Sequence, residues 1–228
     1  MRRDYLDEII SASSLDYSNC KKQFERVLKQ RNILLRQSNI KNNEYFSNTL
    51  DIWDEQFAKY NNLLVKLRKE LILELEPYIH EEFIRITNIN KSIKIKYISS
   101  VQENVLEELK DHRSEDIARK TTTIGAHRDD IEILFGDLNS RKQLSQGQQR
   151  SLAISLMLAK HKIITDISQN TPIVLLDDAL SELDEYTSAN LLEQIENYQS
   201  IITSATKSSK KMLIAKEVSV YNGVCIYD

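Results

Sequence analysis

Glycine and proline are scarce, 4 and 2 in 228 residues. That is too few turn-formers for an all-β fold of many tight hairpins, so helix is expected to dominate. The two cysteines, Cys20 and Cys225, lie near opposite ends and form no CxxC; this argues against a disulfide scaffold or zinc knuckle and fits a reduced, cytoplasmic setting. Charge of one sign is also lacking. The 31 Lys+Arg against 34 Asp+Glu give a formal net charge of -3, so any nucleic-acid site must be local rather than a property of the whole surface. No apolar run approaches the length of a membrane span, and the opening Met1-Arg2-Arg3-Asp4-Tyr5 turns acidic at once, so neither a spanning helix nor a secretory signal is expected. His80, His112, His127 and His161 show no metal-ligand spacing.

The first half carries helical periodicity. From Tyr17 to Gln37, Phe24, Val27, Leu28, Leu34 and Leu35 recur at three- and four-residue steps, the stripe of an amphipathic helix. A second stretch from Glu44 to Glu76 repeats Leu50, Trp53, Phe57, Tyr60, Leu64, Leu67, Leu71 and Leu75, which at 1.5 Å per residue is about 50 Å of helix, the length of a projecting arm. Pro77 should kink or restart it, and the short polar link 38–43 predicts antiparallel packing of the two helices. After residue 90 the period changes. Residues 92–98 alternate polar and apolar, as a half-buried strand does; 101–119 returns to helix, and 121–141 reads as a hairpin. From Ser145 the order is helix to about 168, strand 172–177, helix 185–198 and strand 200–206, an alternation that implies a parallel sheet.

Three local patterns could carry chemistry. Ile173-Val174-Leu175-Leu176-Asp177-Asp178 is a continuous apolar run ending in paired acids. A strand apolar on both faces belongs inside a parallel sheet, whose carboxyl edge is where ligands of open α/β folds bind. Neighbouring strand residues point oppositely, so one acid would hold a hard cation such as Mg²⁺ and the other face a nucleophile; alternatively the two simply begin a turn. Ser145-Gln146-Gly147-Gln148 has capping-box spacing before an apolar helix, and the free amides there can bind an anion, although most capping boxes bind nothing. Ser181-Glu182-Leu183-Asp184 follows in a stretch, 171–199, that holds seven acids and no Lys or Arg. A divalent cation would relieve that repulsion, and an acidic helix start would also explain it. A fourth feature is basic. Between 17 and 41, Lys21, Lys22, Arg26, Lys29, Arg31, Arg36 and Lys41 stand against a single acid, Glu25, a stripe able to neutralise phosphates or simply a solvated face.

The joint order of capped Gly turn, apolar helix, strand ending in Asp-Asp and Ser-Glu-Leu-Asp resembles the C-terminal half of an ABC-type ATPase head, as in the SMC/Rad50-like chromosome-maintenance and repair ATPases. Narrower still, the opening Arg2-Arg3-Asp4-Tyr5-Leu6-Asp7, the segment Gly125-Ala126-His127-Arg128-Asp129-Asp130 and the run Leu175-Leu176-Asp177-Asp178-Ala179-Leu180-Ser181-Glu182-Leu183-Asp184 resemble the RecF family of bacterial DNA replication and repair proteins. Ala126 stands where that family usually has Pro, and Thr187 where a basic residue is common. None of Gly125, Gly136, Gly147 or Gly223 begins the phosphate-loop pattern GxxxxGK[ST]. The chain is therefore expected to be an N-terminally truncated member.

The resemblance implies an α/β fold, a partial ABC-ATPase head carrying an α-helical arm domain: residues 1–14 a remnant of the ATPase lobe, 15–118 the arm, and 119–228 the C-terminal part of the head. It implies ATP and Mg²⁺ as cofactors, with Ser145, Gln146, Gly147 and Gln148 contacting nucleotide in trans, Asp177 supporting metal, Asp178 polarising water, and Ser181 and Asp184 in the loop that couples two heads. The family's usual switch histidine after the next strand is missing, and Thr203 or Ser204 would have to serve there by hydrogen bonding. DNA at single-strand/double-strand junctions would contact Lys21, Lys22, Arg26 and Lys29; a homodimer would form on ATP, and RecR and RecO would be partners in loading recombinase during the SOS response. His127-Arg128 either anchors the sheet or sits near nucleotide. The competing class is a structural interaction protein with a helical arm and no nucleotide chemistry; a metal-dependent nuclease would explain the acids but not the capped turn.

Overall fold

The computed structural model describes residues 2–37, 44–168, 171–181, 183–204, 216, 218–221 and 224–227. It is an α/β structure in two compact units. One comprises 1–78 with 92–140, the other 79–91 with 141–228. The segment 119–140, assigned from the sequence to the head, falls in the unit that contains the arm helices.

In the first unit, α1 (Arg2–Ser13), α2 (Leu15–Arg36) and α3 (Glu44–Thr87) up to residue 78 supply the helical part, the end of α3 from residue 79 belonging to the second unit. Ser14 starts α2, its hydroxyl accepting the Tyr17 amide at 3.2 Å. The expected antiparallel packing is present: Phe24 meets Phe57 with ring centroids 5.0 Å apart, the Cys20 thiol points to the Tyr60 carbonyl, and Arg31 bonds Asp54 at 2.7 Å, so that rising numbers on α2 meet falling numbers on α3. Pro77 does not restart the helix, which continues to Thr87. The proline costs the helix a bond to the carbonyl four residues back, at Leu73; that residue is 73% exposed, so the bond is lost on the solvent-facing side of the helix, where its loss costs least.

Beyond α3, β1 (Ile93–Ile98) pairs antiparallel with β2 (Asp130–Phe135), and β3 (Leu138–Asn139) closes a short hairpin on β2. The helix expected over 101–119 is two pieces, α4 (Val105–Asp111) and α5 (Arg113–Arg119). Asn104 caps the Leu106 amide at 3.0 Å and so sets the start, while the His112 ring binds the Glu108 carbonyl at 2.8 Å at the break. The hairpin expected over 121–141 is confined to β2 and β3, because 121–129 is a loop pinned by side chains. Gly125 there has φ +116° and packs so tightly on Phe57 that a Cβ would collide with the ring.

In the second unit, α6 (Ser140–Gln143) precedes α7 (Gln146–Ser168), β4 (Val174–Asp177), α8 (Glu185–Ile195), β5 (Ser200–Thr203) and the hairpin β6 (Val218–Tyr221) and β7 (Val224–Tyr227). β4 and β5 are parallel, with Leu175 opposite Ile201 and Asp177 opposite Thr203. Val174 and Leu176 pack with Ile154, Leu158, Leu191, Leu192, Ile195 and Ile86 into the core of this unit. The opposite face of the strands is open: Ile173, Leu175 and Ile201 are 49%, 65% and 59% exposed. The two-sided burial expected for this strand is thus present on one side only. α7 is likewise buried along one broad side, with Ala153 exposed.

Candidate functional site

The second unit gathers the sequence-flagged turn and acids. At the start of α7 the capping box is formed in both directions: the Gln148 amide donates to Ser145 Oγ at 3.3 Å and the Ser145 amide to Gln148 Oε1 at 3.1 Å. Ser145 and Gln146 are exposed and Gly147 and Gln148 half-buried, so the turn faces outward while Leu152, Ser155 and Leu158 further along hold the helix in place. The positive end of a 23-residue helix is therefore presented on a fixed base. Gln149 steadies the preceding loop, its amide nitrogen donating to the Leu144 carbonyl at 3.0 Å.

The paired acids sit at the carboxyl end of β4. Asp177, the last strand residue, is exposed beside Thr203 of the neighbouring strand, whose hydroxyl donates to Asp177 Oδ1 at 2.5 Å. Asp178 leaves the strand with φ +47°, a left-handed conformation that Asp tolerates better than most residues. Its amide donates at 3.1 Å to both the carbonyl and the hydroxyl of Thr203. The Asp178 carbonyl in turn accepts the Ser181 hydroxyl at 2.9 Å, closing the turn that leads to α8. Asp184 caps α8, accepting the Thr187 amide and hydroxyl, each at 2.8 Å; the Thr187 amide bond, followed by the hydroxyl, holds its carboxyl below the ordinary value of 3.8. A basic side chain at 187 would lose the hydroxyl bond. Among the described residues no hydrogen bond joins the 145–148 turn to Asp177 or Asp178; within one chain the two features stand separately.

Asp177 has the chemistry of a magnesium ligand. One of its oxygens is engaged by Thr203, and the other accepts nothing from the described residues. Among those residues no cluster of three or more His, Cys, Asp or Glu could by itself hold a metal. A single carboxylate completed by phosphate oxygens and water is a donor set that Mg²⁺ takes.

The basic stripe is divided by the structure. Lys22, Arg26 and Lys29 are exposed on one face of α2 at four- and three-residue spacing. Lys21 is half-committed, its ammonium 3.1 Å from buried Asp7. Arg31 is not on the face at all. It is fully buried, bonding Asp54 at 2.7 Å, Asp116 at 2.6 Å and Thr122 at 2.8 Å.

The 125–130 segment is an anchor within the first unit. The Asn61 side chain accepts the Ala126 amide at 2.7 Å, a bond that proline would lack. His127 packs against the rings of Phe24 and Phe57, with Nε2 3.0 Å from the Thr122 carbonyl. Asp129 accepts Tyr97, the Ser100 amide and the Ser100 hydroxyl at 2.7 to 2.8 Å. Arg68 joins this segment to α1, bonding Asp7 through both oxygens at 2.7 and 2.9 Å and the Ala126 carbonyl at 2.8 Å. Sequence reasoning missed both arginine hubs. Arg31 was legible in principle, because 24, 27, 31 and 35 share one spacing; Arg68 follows buried Leu64 at four residues in the same way.

No protein-family model matches the chain. It is 37% identical over 203 residues to the DNA replication and repair protein RecF of Lachnospira eligens, covering 89% of this chain and 56% of that relative. To the RecF of Clostridium tetani it is 33% identical over 238 residues, covering 99% of this chain and 64% of the relative. The solved structure of the recombination mediator protein RecF-ATP in the RecFOR pathway superposes with a TM-score of 0.84 at 29% identity, over 99% of this chain and 62% of that one. The chain thus spans somewhat over half the length of the relatives it matches, and its α/β fold with a helical arm is that of the corresponding part of the RecF-ATP structure.

Proposed function

The chain belongs to the RecF family over the part of those relatives that it spans, and from that premise we propose that it supplies the signature-turn and paired-acid half of a DNA-repair ATPase. The reading is carried by one observation: the outward-facing capped turn at Ser145–Gln148 and the exposed acids at the end of β4 lie in one compact unit. Ser145, Gln146, Gly147 and Gln148 direct amides and the helix dipole at the terminal phosphate of ATP held on the phosphate loop of a second family member. Asp177 would hold Mg²⁺, which would neutralise charge on the phosphoryl oxygens. Asp178 accepts a hydrogen bond from the attacking water and orients it, and Ser181 and Asp184 keep the intervening turn in shape for contact between two heads. Lys22, Arg26 and Lys29, with Lys21 at the edge, meet DNA phosphates near a single-strand/double-strand junction without reading sequence. RecR and RecO are the partners that fit such a role in recombinase loading.

The test is Mg²⁺-dependent ATP hydrolysis by the chain alone and mixed with an intact family member. No turnover alone and a raised rate in the mixture are expected, with Ser145→Ala abolishing the rise. Normal turnover by the chain alone, unchanged by Asp178→Ala, would remove these residues from the chemistry. A second reading is a structural interaction protein with a helical arm and no nucleotide chemistry. It requires the mixture to hydrolyse ATP no faster than the intact member.

A further inference from the structure

Thr203 occupies a singular place between the two acids. Parallel register sets it directly beside Asp177, so both side chains emerge from the same face of adjacent strands. A hydroxyl has one proton to donate and two lone pairs to accept with. Here the proton goes to Asp177 Oδ1 at 2.5 Å, and an acceptor site takes the Asp178 amide at 3.1 Å. The same amide also reaches the Thr203 carbonyl at 3.1 Å. One residue is therefore bonded to the carboxylate of the first acid and to the backbone of the second, at the point where that backbone enters a left-handed turn at φ +47°.

We propose that Thr203 is the positioning residue of the acid pair, fixing which Asp177 oxygen is free for a cation and holding the Asp178 backbone in its turned conformation. The proposal rests on the reading of Asp177 as a metal ligand for its functional consequence, but not for its geometry. With one lone pair of Oδ1 taken by the hydroxyl, the oxygen of Asp177 left wholly open to a cation is Oδ2. Single-oxygen ligation suits Mg²⁺, which demands a near-octahedral shell and keeps its waters, whereas Ca²⁺ readily takes a carboxylate through both oxygens. Thr203 thus tilts the site toward the smaller ion. The side chain is exposed, so its replacement removes the two hydroxyl bonds without opening a core cavity, and a substitution at such a place ordinarily leaves the fold intact.

The experiment follows backbone amide signals of the full chain by NMR, in wild type, Thr203→Val, Thr203→Ser and Asp177→Asn, titrated separately with MgCl2 and CaCl2. Wild type and Thr203→Ser should show Asp178 amide perturbation with Mg²⁺ favoured; Thr203→Val should shift the Mg²⁺-to-Ca²⁺ affinity ratio toward Ca²⁺ by roughly threefold to tenfold, the range of one hydrogen bond. Where Asp177→Asn loses the metal response that wild type shows, an unchanged ratio in Thr203→Val overturns the proposal. If wild type and Asp177→Asn respond alike, the metal reading of Asp177 is what fails, and positioning is then decided by hydrogen exchange of the Asp178 amide without metal. Exchange roughly two- to tenfold faster in Thr203→Val, restored in Thr203→Ser, supports the proposal; equal exchange in all three overturns it.

Discussion

Arg31 and Asp116, 85 positions apart, meet at 2.6 Å with neither side chain exposed to solvent. The same guanidinium binds Asp54 from α3, and Asp54 is also bonded by Arg113 at 2.6 Å. Asp116 turns its other oxygen to the amide and hydroxyl of Thr123. α2, α3, α5 and the loop after α5 are thereby tied at one buried point. Low-dielectric surroundings make such a cluster costly to break, because removing one partner leaves the opposite charges buried and uncompensated.

Replacing Arg31 by Met should therefore lower stability by about 3–5 kcal/mol, read as a reduced urea midpoint. Lys22→Glu, on the exposed face of the same helix, should leave stability within about 0.5 kcal/mol. Equal effects of the two would contradict the buried role of Arg31.

Acid lability should trace to Asp7. Burial pushes its carboxyl up, but the hydrogen bond and charge of Arg68, with bonds from Tyr17 and Lys21, outweigh burial and hold it below the ordinary 3.8. A depressed carboxylate means that the unfolded chain binds the proton more readily, so the stabilisation is complete above pH 3.8 and is lost as pH falls through the lower folded value. Asp7→Asn should lower stability at neutral pH and flatten the decline below pH 4; an unchanged acid limb in a urea series would refute the assignment.

His127 should add a milder slope at higher pH. Burial, then the charges of Arg128 and Arg3, lower its value from 6.5, against the opposing Thr122 hydrogen bond and Asp129. The folded state keeps the ring neutral where the unfolded chain protonates it, so stability is full above pH 6.5 and declines below it. His127→Gln should remove the part of the Tm decrease that occurs between pH 6.5 and the folded value, while other acid effects remain.

DNA affinity should depend on the exposed face of α2. Changing Lys22, Arg26 and Lys29 together to Glu should weaken binding to a junction substrate and reduce the slope of log K against log salt by up to about 3, near 0.9 for each duplex phosphate contact. An unaltered slope takes this face out of the interface.

Much of the architecture was legible because periodicity is a local property. The α2 and α3 stripes, the alternation at β1 and the helix–strand order after Ser145 followed from spacing alone, and the reciprocal bonds of Ser145 and Gln148 are the ones their three-residue separation implies. Helix ends were less legible. Continuation past Pro77 depended on Leu73 facing water, and the break at His112 on a side chain bonding back to Glu108.

The amino-acid order by itself determined that two acids would end an apolar strand and that a capped turn would open a long helix, since both are set by neighbours within four residues. Only the tertiary structure decided that Arg31 meets Asp54 and Asp116 in the interior, and that Thr203 lies against Asp177. Those facts arise from helix packing and from strand register, which bring together groups 23 to 85 positions apart through burial and hydrogen bonding that no short window of sequence contains.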